Sequence, residues 1–262
     1  MNKQDITQLF DLRNRVAIVT GSSKGIGAAI ARGLAAFGAR VVVSSRQLEH
    51  VEPVAESIHQ EGGEAMPMAC HVGDATQREA LIQKTYDIWG SVDILVNNAA
   101  VNPYYGPIEE MESSAYRKTQ DINTEAALQL SNLAFPIMRE QQRGSIIHIS
   151  SIEGLAPGKG MGAYSISKAA LNMLTKSQAY EWGRYGIRVN TIAPGLIKTK
   201  FSSALWQNAK LMSFVERRVP AGRAAEPEEM VGLAVFLASD AASYCTGGVY
   251  VADGGFSLVN LF

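Results

Sequence analysis

The sequence is poor in the features that mark several special classes of protein. It has only two cysteines, Cys70 and Cys245, far apart in a chain of 262 residues, which excludes the disulfide framework of a small secreted domain. The formal net charge is −1, so there is no bulk attraction to nucleic acid or to an anionic membrane. No apolar run approaches the ~20 residues that a membrane-spanning helix needs. We therefore expect no nucleic-acid partner and no membrane partner.

The two ends of the chain carry no recognisable targeting signal. The first fifteen residues are polar and lack the apolar core of a secretory signal peptide. The last three, Asn260-Leu261-Phe262, differ from a peroxisomal tail of the Ser-Lys-Leu type. The low cysteine count suits a reducing compartment. These features predict a cytoplasmic location.

What the sequence does have is a regular alternation of apolar runs and helical segments. The apolar runs predict strands over 16–20, 40–44, 65–69, 92–96, 144–150, 187–193 and 248–251. Helical spacing predicts helices over 25–38, 48–61, 76–89, 112–139, 164–183 and 227–238. Such alternation indicates an α/β fold, a doubly wound Rossmann-like parallel sheet with helices on both faces. We expect one domain over 1–262, with a substrate loop at about 196–223.

A glycine-rich turn follows the first predicted strand. It reads Thr20-Gly-Ser-Ser-Lys-Gly-Ile-Gly27 and leads into a predicted helix. Glycines permit a tight turn and let backbone N–H groups approach a pyrophosphate at the helix N-terminus. The alternative is a plain strand-to-helix turn. The context favours a dinucleotide site, whose candidate residues are Gly21, Ser23, Lys24, Gly25, Ile26 and Gly27.

The end of the second predicted strand indicates which dinucleotide binds. An NAD site usually has a carboxylate there for the ribose 2′-hydroxyl, whereas this sequence has Ser44-Ser45-Arg46. Arg46 and Lys24, with the Ser45 hydroxyl, suit a 2′-phosphate. The alternative is that both cations are solvated surface charges. The pattern predicts NADP(H) in preference to NAD(H).

A tyrosine and a lysine lie four residues apart in the fifth predicted helix. Tyr164 and Lys168 therefore share one helix face. A phenol with a pKa of about 10 is a poor acid or base at neutral pH, and a nearby ammonium lowers that pKa. A tyrosine tuned in this way can exchange a proton with a substrate oxygen. Such a pair is also common on ordinary helix surfaces, so its meaning depends on Ser151 and the glycine turn.

Together these motifs resemble the short-chain dehydrogenase/reductase family. The resemblance covers nearly the whole chain and is carried by TGSSKGIG at 20–27, NNAA at 97–100, Asn123, Ser151, Tyr164-x-x-x-Lys168, Pro194-Gly195 and Asp253-Gly-Gly255. Asn102-Pro103 and the stretch APGLIKTKFS at 193–202 are also similar to an NADPH-dependent retinal and carbonyl reductase subgroup.

The resemblance implies hydride transfer between the coenzyme and an alcohol/carbonyl pair, with four catalytic residues. Tyr164 is the general acid in reduction and the general base in oxidation, and Lys168 lowers its pKa and holds the nicotinamide ribose. Ser151 hydrogen-bonds the substrate oxygen, and Asn123 holds a water that links Lys168 to solvent. Further coenzyme contacts are implied at His71, Val72, Asn98, Ala99, Pro194, Gly195, Ile197 and Thr199. The family also implies a homotetramer, which the apolar segment 249–262 supports.

Two positions depart from the family pattern. Ala100 replaces a glycine beside the ribose, and His71 replaces an aspartate near the adenine. The contacts at these two places are therefore open. The four histidines show no metal-ligand spacing, so no metal is expected. His148, inside an apolar strand, is predicted to be a core residue, and Asp93 a surface or structural one.

Aromatic and aliphatic residues gather in the loops expected at the carboxyl ends of the strands. The candidate substrate contacts are Ser151, Glu153, Tyr164, Tyr104 and Trp206. No arginine pair lies there to hold a carboxylate or phosphate. We therefore expect an apolar or aromatic ketone or aldehyde as the substrate. Two alternatives remain open: Trp206 packs only against its own loop, or Glu153 is an exposed loop carboxylate.

Other functions fit the same fold. One is a non-catalytic dinucleotide-binding sensor or scaffold, and another is an NAD-dependent alcohol dehydrogenase. Epimerisation or dehydration is a third possibility, although such relatives usually carry a further substrate domain. The intact set of Asn123, Ser151, Tyr164 and Lys168 favours a dehydrogenase or reductase over a sensor.

Overall fold

The computed structural model describes residues 3–259, which form a parallel sheet covered by helices. The strands are β1 (Val16–Thr20), β2 (Arg40–Ser45), β3 (Glu64–Ala69), β4 (Ile94–Asn97), β5 (Gly144–Ile149), β6 (Ile187–Pro194) and β7 (Val249–Ala252). Their order in the sheet is β3-β2-β1-β4-β5-β6-β7, and all pairs are parallel. The chain reverses its winding direction between β1 and β4, where open α/β sheets bind their ligands.

The helices lie on both faces of the sheet, as the alternation predicts. They are α1 (Lys3–Gln8), α2 (Gly25–Ala36), α3 (Glu52–Gln60), α4 (Ala75–Trp89), α5 (Ser113–Gln120), α6 (Ala126–Glu140), α7 (Gly162–Trp182), α8 (Ser203–Trp206), α9 (Ala209–Arg218) and α10 (Val231–Ala238). One core cluster includes residues of α2, α3 and α10, and the other includes residues of α4, α6 and α7. The predicted doubly wound fold is confirmed.

Successive strand residues divide between the two core clusters. In β1, Val19 belongs to the cluster under α2, whereas its neighbour Ile18 belongs to the cluster under α6. Val41 and Val42 divide in the same way in β2. This follows from the two-residue period of a strand, with both faces covered by helices. The apolar runs in the sequence are continuous for that reason.

Several predicted boundaries differ from the structure. The helix predicted over 112–139 is interrupted by a π turn at Asp121–Glu125, which joins α5 to α6. Strand β4 begins at Ile94 and not at 92, and the N–H of Val92 donates to the side chain of Gln141 (3.3 Å). The predicted substrate loop contains the short helices α8 and α9. Within residues 3–259, no helix combines the length and apolar character that crossing a bilayer requires.

Candidate functional site

The glycine turn after β1 is shaped by close contact with the chain that follows β4. Gly21 and Gly25 have φ of +64° and +57°, a region that side chains rarely tolerate. At Gly27, a Cβ would lie 2.4 Å from Nδ2 of Asn98 and 2.6 Å from the carbonyl oxygen of Gly21. Each glycine is therefore required by backbone conformation or by this contact.

Asn98 holds the turn against the end of β4. Its Nδ2 donates to the carbonyl oxygens of Thr20 (2.8 Å) and Gly21 (3.1 Å). The N–H groups of Asn98 and Ala99 donate to Oγ1 of Thr20 at 3.0 and 3.2 Å. The two predicted coenzyme residues thus lie at the site, and the amide of Asn98 supports the turn directly.

Helix α2 starts at this turn without a side-chain cap. Lys24 occupies the N-cap position in an extended conformation and caps no backbone N–H. By contrast, Asp74 caps α4 and Asn208 caps α9 through their side-chain oxygens. The first N–H groups of α2 therefore remain open to an anion such as a pyrophosphate. This observation fits a dinucleotide at the turn.

Cations lie beside the end of β2, as the sequence predicts. Arg46 and Lys24 are both exposed, and neither forms an ion pair within residues 3–259. The Ser45 hydroxyl donates to the carbonyl oxygen of Gln47 (3.1 Å). The end of this strand therefore has positive charge without a neighbouring carboxylate partner.

The chain after β3 is held by its own side chains. The N–H of His71 donates to Gln77 (2.8 Å), and its Nδ1 accepts the N–H of Gly73 (3.1 Å). The carbonyl oxygen of Val72 accepts from the buried Arg78 at 2.6 Å. Sequence reasoning missed Arg78, because one arginine in an amphipathic helix gives no local sign that it is buried.

The chain after β6 reaches the same glycine turn from the other side. Pro194 is buried, and a Cβ at Gly195 would lie 2.7 Å from Cα of Asp253. Ile197 is also buried, and Thr199 approaches Gly25 so closely that a Cβ there would lie 3.1 Å from its Cγ2. The structure thus brings these predicted coenzyme residues to the same end of the sheet.

Tyr164, Lys168 and Ser151 meet where β5 ends and α7 begins. Tyr164 and Lys168 are buried, 7% and 2% exposed, and the lysine Nζ lies 5.5 Å from the centre of the tyrosine ring. Nζ donates to the carbonyl oxygen of Ile149 (2.8 Å). Ser151 lies two residues after the end of β5, and its Oγ accepts the N–H of Glu153 (3.1 Å).

The protonation states differ from the sequence-based expectation. Burial raises the pKa of Tyr164; a hydrogen bond with Ser151 opposes this, and the charge of Glu153 adds to it. The net shift of this pKa in the chain alone is therefore upward, whereas the resemblance implies a lowering by Lys168. Burial also lowers the pKa of Lys168 to about 7, so this side chain loses much of its charge near neutral pH. The phenol is kept protonated, which is the state needed to donate a proton.

Asn123 is placed by the π turn. It is 2% exposed, and its side chain pairs with the backbone of Val101: Oδ1 accepts from N (2.8 Å) and Nδ2 donates to O (2.9 Å). Nδ2 also donates to Oγ of Ser167 (3.0 Å), which in turn donates to the carbonyl oxygen of Tyr164 (2.7 Å). Asn123 therefore links α7 to the loop after β4.

Two of the candidate substrate residues, Tyr104 and Trp206, are anchored in their own loops. The Tyr104 hydroxyl donates to the carbonyl oxygen of Pro107 (2.7 Å), and the Trp206 indole N–H donates to that of Thr199 (2.8 Å). Phe201, one of the aromatic residues of the predicted substrate loop, is 54% exposed, with its ring centre 5.9 Å from that of Tyr164.

Two further predictions can be compared with the structure. His148 is fully buried and pairs with Gln178 (3.0 Å) and Asn97 (3.2 Å), which confirms it as a core residue. Asp93 is also buried, so it is structural and not a surface residue. Across the described part of the chain, no three His, Cys, Asp or Glu side chains gather in a way that suits a metal ion.

Comparison with known proteins agrees with this arrangement. A family model described as enoyl-(acyl carrier protein) reductase matches residues 21–257. The protein named dehydrogenase/reductase SDR family member 4 of Homo sapiens is 42% identical over 255 residues, which are 97% of this chain and 92% of that protein.

Two solved structures are similar over almost their full length. A gluconate 5-dehydrogenase from Burkholderia cenocepacia in complex with NADP and tartrate has a TM-score of 0.93 at 32% identity, covering 97% of this chain and 100% of that one. A 7α-hydroxysteroid dehydrogenase complexed with NADH and 7-oxo glycochenodeoxycholic acid has a TM-score of 0.92 at 32% identity, covering 97% and 98%. The chain belongs to the short-chain dehydrogenase/reductase family and is an oxidoreductase that uses a nicotinamide dinucleotide.

Proposed function

We propose that the protein uses NADPH to reduce the carbonyl group of an apolar or aromatic ketone or aldehyde. The observation that carries this proposal is the buried Tyr164 beside the half-exposed ring of Phe201. A proton donor and an apolar wall are what reduction of such a compound requires.

In this proposal each catalytic side chain has one task. Tyr164 donates the proton to the carbonyl oxygen, and Ser151 hydrogen-bonds that oxygen while charge develops on it. Lys168 and Asn123 restore the proton of Tyr164 from solvent. The bound coenzyme supplies the hydride.

The coenzyme preference rests on the charges beside β2. Arg46 and Lys24 are exposed cations without an ion-pair partner in the described chain, and no carboxylate occupies the position after Ser45. A 2′-phosphate would pair with both cations, and a 2′-hydroxyl would not. The glycine turn and the uncapped start of α2 would hold the pyrophosphate, with His71 and Val72 beside the adenine and Ile197 and Thr199 beside the nicotinamide.

The substrate class rests on the loop after β6. Phe201 lies over Tyr164, and Leu196, Trp206 and Leu211 lie half-buried in the same loop. Burying an apolar body here would contribute roughly 25 cal/mol per Å² of apolar area. The steroid ligand in one related structure has such a body, whereas the sugar acid implied by the name of the other has not.

A substrate panel tests this proposal. With NADPH, we expect kcat/KM for a bicyclic aromatic ketone to exceed that for acetone and for a keto-sugar acid by at least about tenfold. Phe201→Ala and Trp206→Ala should raise KM for the aromatic ketone far more than for acetone. Tyr244→Ala, at a fully exposed position elsewhere, is the control. Highest activity on the sugar acid, or equal losses on both ketones, would contradict the assigned pocket.

The same panel compares the two coenzymes. Greater activity with NADH than with NADPH would instead indicate an NAD-dependent alcohol dehydrogenase.

We also propose a cytoplasmic homotetramer. Two separate surfaces support assembly. Ile166, Met173 and Tyr180 recur every seven residues along α7 and are 42%, 60% and 92% exposed. On the edge strand β7 and after it, Val251 and Leu258 are 45% and 79% exposed. Two self-complementary faces are sufficient to build a tetramer. The terminal Leu261 and Phe262 lie outside the described residues. Light scattering at micromolar concentration measures the mass, and a monomer would contradict the assembly.

A further inference from the structure

The loop between β5 and α7 controls the separation of two proposed catalytic groups. Ser151 lies at its start, and Tyr164 lies just after its end. The loop contains Gly154, Gly158 and Gly160, so its backbone has little intrinsic preference for one conformation. Proton donation to an oxygen held by Ser151 needs the two side chains at a fixed separation. Some contact must therefore restrain this loop.

Glu153 forms hydrogen bonds with the start of the loop, with its middle and with the helix that follows it. Its N–H donates to Oγ of Ser151 (3.1 Å). Its Oε2 accepts from the N–H of Gly158 and from Oγ of Ser165 (3.0 Å). Ser165 is the neighbour of Tyr164 in α7. One residue thus connects the start of the loop, its middle and the helix that follows.

The backbone of Gly158 lies close to the carboxylate of Glu153. A Cβ at this position would lie 2.6 Å from each carboxylate oxygen of Glu153. The backbone therefore packs directly on the carboxylate, which is half-buried. A carboxylate that faced solvent would not be held against the backbone in this way. Glu153 is therefore not the exposed loop carboxylate that the sequence leaves open as an alternative.

The charge of Glu153 is unfavourable for its surroundings unless the hydrogen bonds offset it. It forms no ion pair with any lysine, arginine or histidine of residues 3–259. It also lies near a buried phenol whose deprotonated form it disfavours. A half-buried carboxylate is retained at modest free-energy cost when N–H and O–H groups donate to it. Its clearest physical effect is therefore to hold the groups that donate.

We propose that Glu153 is a positioning residue, which closes the loop between β5 and α7 and thereby fixes Ser151 relative to Tyr164. This role rests on the proposed function of Ser151 and Tyr164. It differs from the direct substrate contact that the sequence suggests, because the carboxylate already accepts hydrogen bonds from Gly158 and Ser165.

Three variants separate charge from hydrogen bonding. Glu153→Gln keeps an acceptor and removes the charge, Glu153→Ala removes both, and Ser165→Ala removes one bond. The first readout is amide hydrogen exchange over residues 154–161 in the coenzyme-free protein. We expect roughly hundredfold faster exchange in Glu153→Ala, which loses two hydrogen bonds, about tenfold in Ser165→Ala, which loses one, and little change in Glu153→Gln, since one hydrogen bond is worth about a factor of ten.

The second readout is the pH profile of turnover. Glu153→Ala should lower kcat about tenfold, with KM for NADPH unchanged. Glu153→Gln should keep kcat within about threefold and move the pH profile to lower pH, because a negative charge near Tyr164 is gone. The other groups that face Tyr164 are Lys168, Ser151 and Phe201, and all three are unchanged in these variants.

Several outcomes would overturn the proposal. One is wild-type exchange in both Glu153→Ala and Ser165→Ala. Another is a raised KM for the carbonyl substrate with kcat unchanged, which identifies a substrate contact. If Glu153→Ala does not fold, Glu153→Gln and Ser165→Ala decide between the outcomes by the same measurements. Hydrogen exchange needs no turnover, so it tests the loop even if the proposed reaction fails.

Discussion

Buried charged side chains have different partners at the two ends of the parallel sheet. At the amino end, Asp93 is 2% exposed, and its carboxylate accepts from Arg143 (Nε, 2.8 Å) and from the N–H of Val16 (2.9 Å). At the carboxyl end, Lys168 is also 2% exposed, but its ammonium has only the carbonyl oxygen of Ile149 as a hydrogen-bond acceptor within residues 3–259. A buried cation without an oppositely charged partner is free to titrate, as Lys168 is. We therefore expect the buried charge of Asp93 at the amino end to contribute to stability, and that of Lys168 at the carboxyl end to contribute to catalysis.

The largest expected effect lies at the carboxyl end. Tyr164→Phe should lower kcat by roughly 10²–10⁴-fold, because the proton donor is removed. Coenzyme affinity and the free energy of unfolding should change little. Turnover is followed by loss of reduced-nicotinamide absorbance, and affinity by coenzyme fluorescence. Tyr244→Phe, at a fully exposed tyrosine, is the matched control. Near wild-type kcat in Tyr164→Phe would remove this residue from the mechanism.

The corresponding change at the amino end should affect stability alone. Asp93→Ala should lower the free energy of unfolding by about 2–3 kcal/mol, because charged hydrogen bonds to Arg143 and Val16 are lost. The matched control is Asp240→Ala, which breaks the exposed pair with Arg15 and should cost less than about 1 kcal/mol. Urea unfolding measures both. A loss of kcat per folded molecule in Asp93→Ala would show that the two ends are not separate.

A third test concerns the unpaired cations beside β2. Arg46→Ala should weaken NADPH binding about tenfold and leave NADH binding nearly unchanged, because only NADPH carries a 2′-phosphate. Lys24→Ala should act in the same direction. Lys210→Ala, an exposed lysine in α9, serves as the control. Binding titrations give the two affinities, and equal losses for both coenzymes would show that neither cation contacts the phosphate.

The smallest expected effect is a pH dependence of stability. In the coenzyme-free protein, folded Lys168 has a pKa of about 7, whereas an unfolded lysine has one of about 10.4. Above pH 7 the unfolded chain therefore binds more protons, and stability rises with pH by at most about 1.4 kcal/mol per pH unit. Lys168→Met should remove this contribution.

The pH window for this test ends near pH 8.5. Burial raises the pKa of Cys70 to about 11, so ionisation of the unfolded thiol lowers stability above that pH. Urea unfolding of wild type and Lys168→Met between pH 7 and 8.5 isolates the lysine. If the two proteins show the same slope, the buried ammonium does not titrate in this range.

The strands were predictable because their signal is local. Val16–Thr20 and the other buried strands are continuous apolar runs, and a sheet covered on both faces requires such runs. The π turn at Asp121–Glu125 was not predictable, because the side chain that accompanies it, Asn123, pairs with Val101, which lies 22 positions away. No pattern inside one helix reports on a partner at that distance.

The candidate site was predictable in its membership and less so in its electrostatics. The motif containing Tyr164 and Lys168 identified the two residues, and the structure brings them together with Ser151. The net direction of the Tyr164 pKa was not predictable, because it depends on how deeply the phenol is buried and on the position of Glu153. Burial is set by residues that are distant in sequence.

The contact between the glycine turn and Asn98 has a consequence for the order of folding. The turn belongs to the first thirty residues, but the amide that holds it lies 77 and 78 positions further along the chain. During synthesis the first ninety residues therefore contain the turn without its support. Contacts of such separation form late, since the loop between them must close first. The coenzyme site should accordingly be acquired only when β4 pairs with β1, and a fragment ending before β4 should not bind the coenzyme.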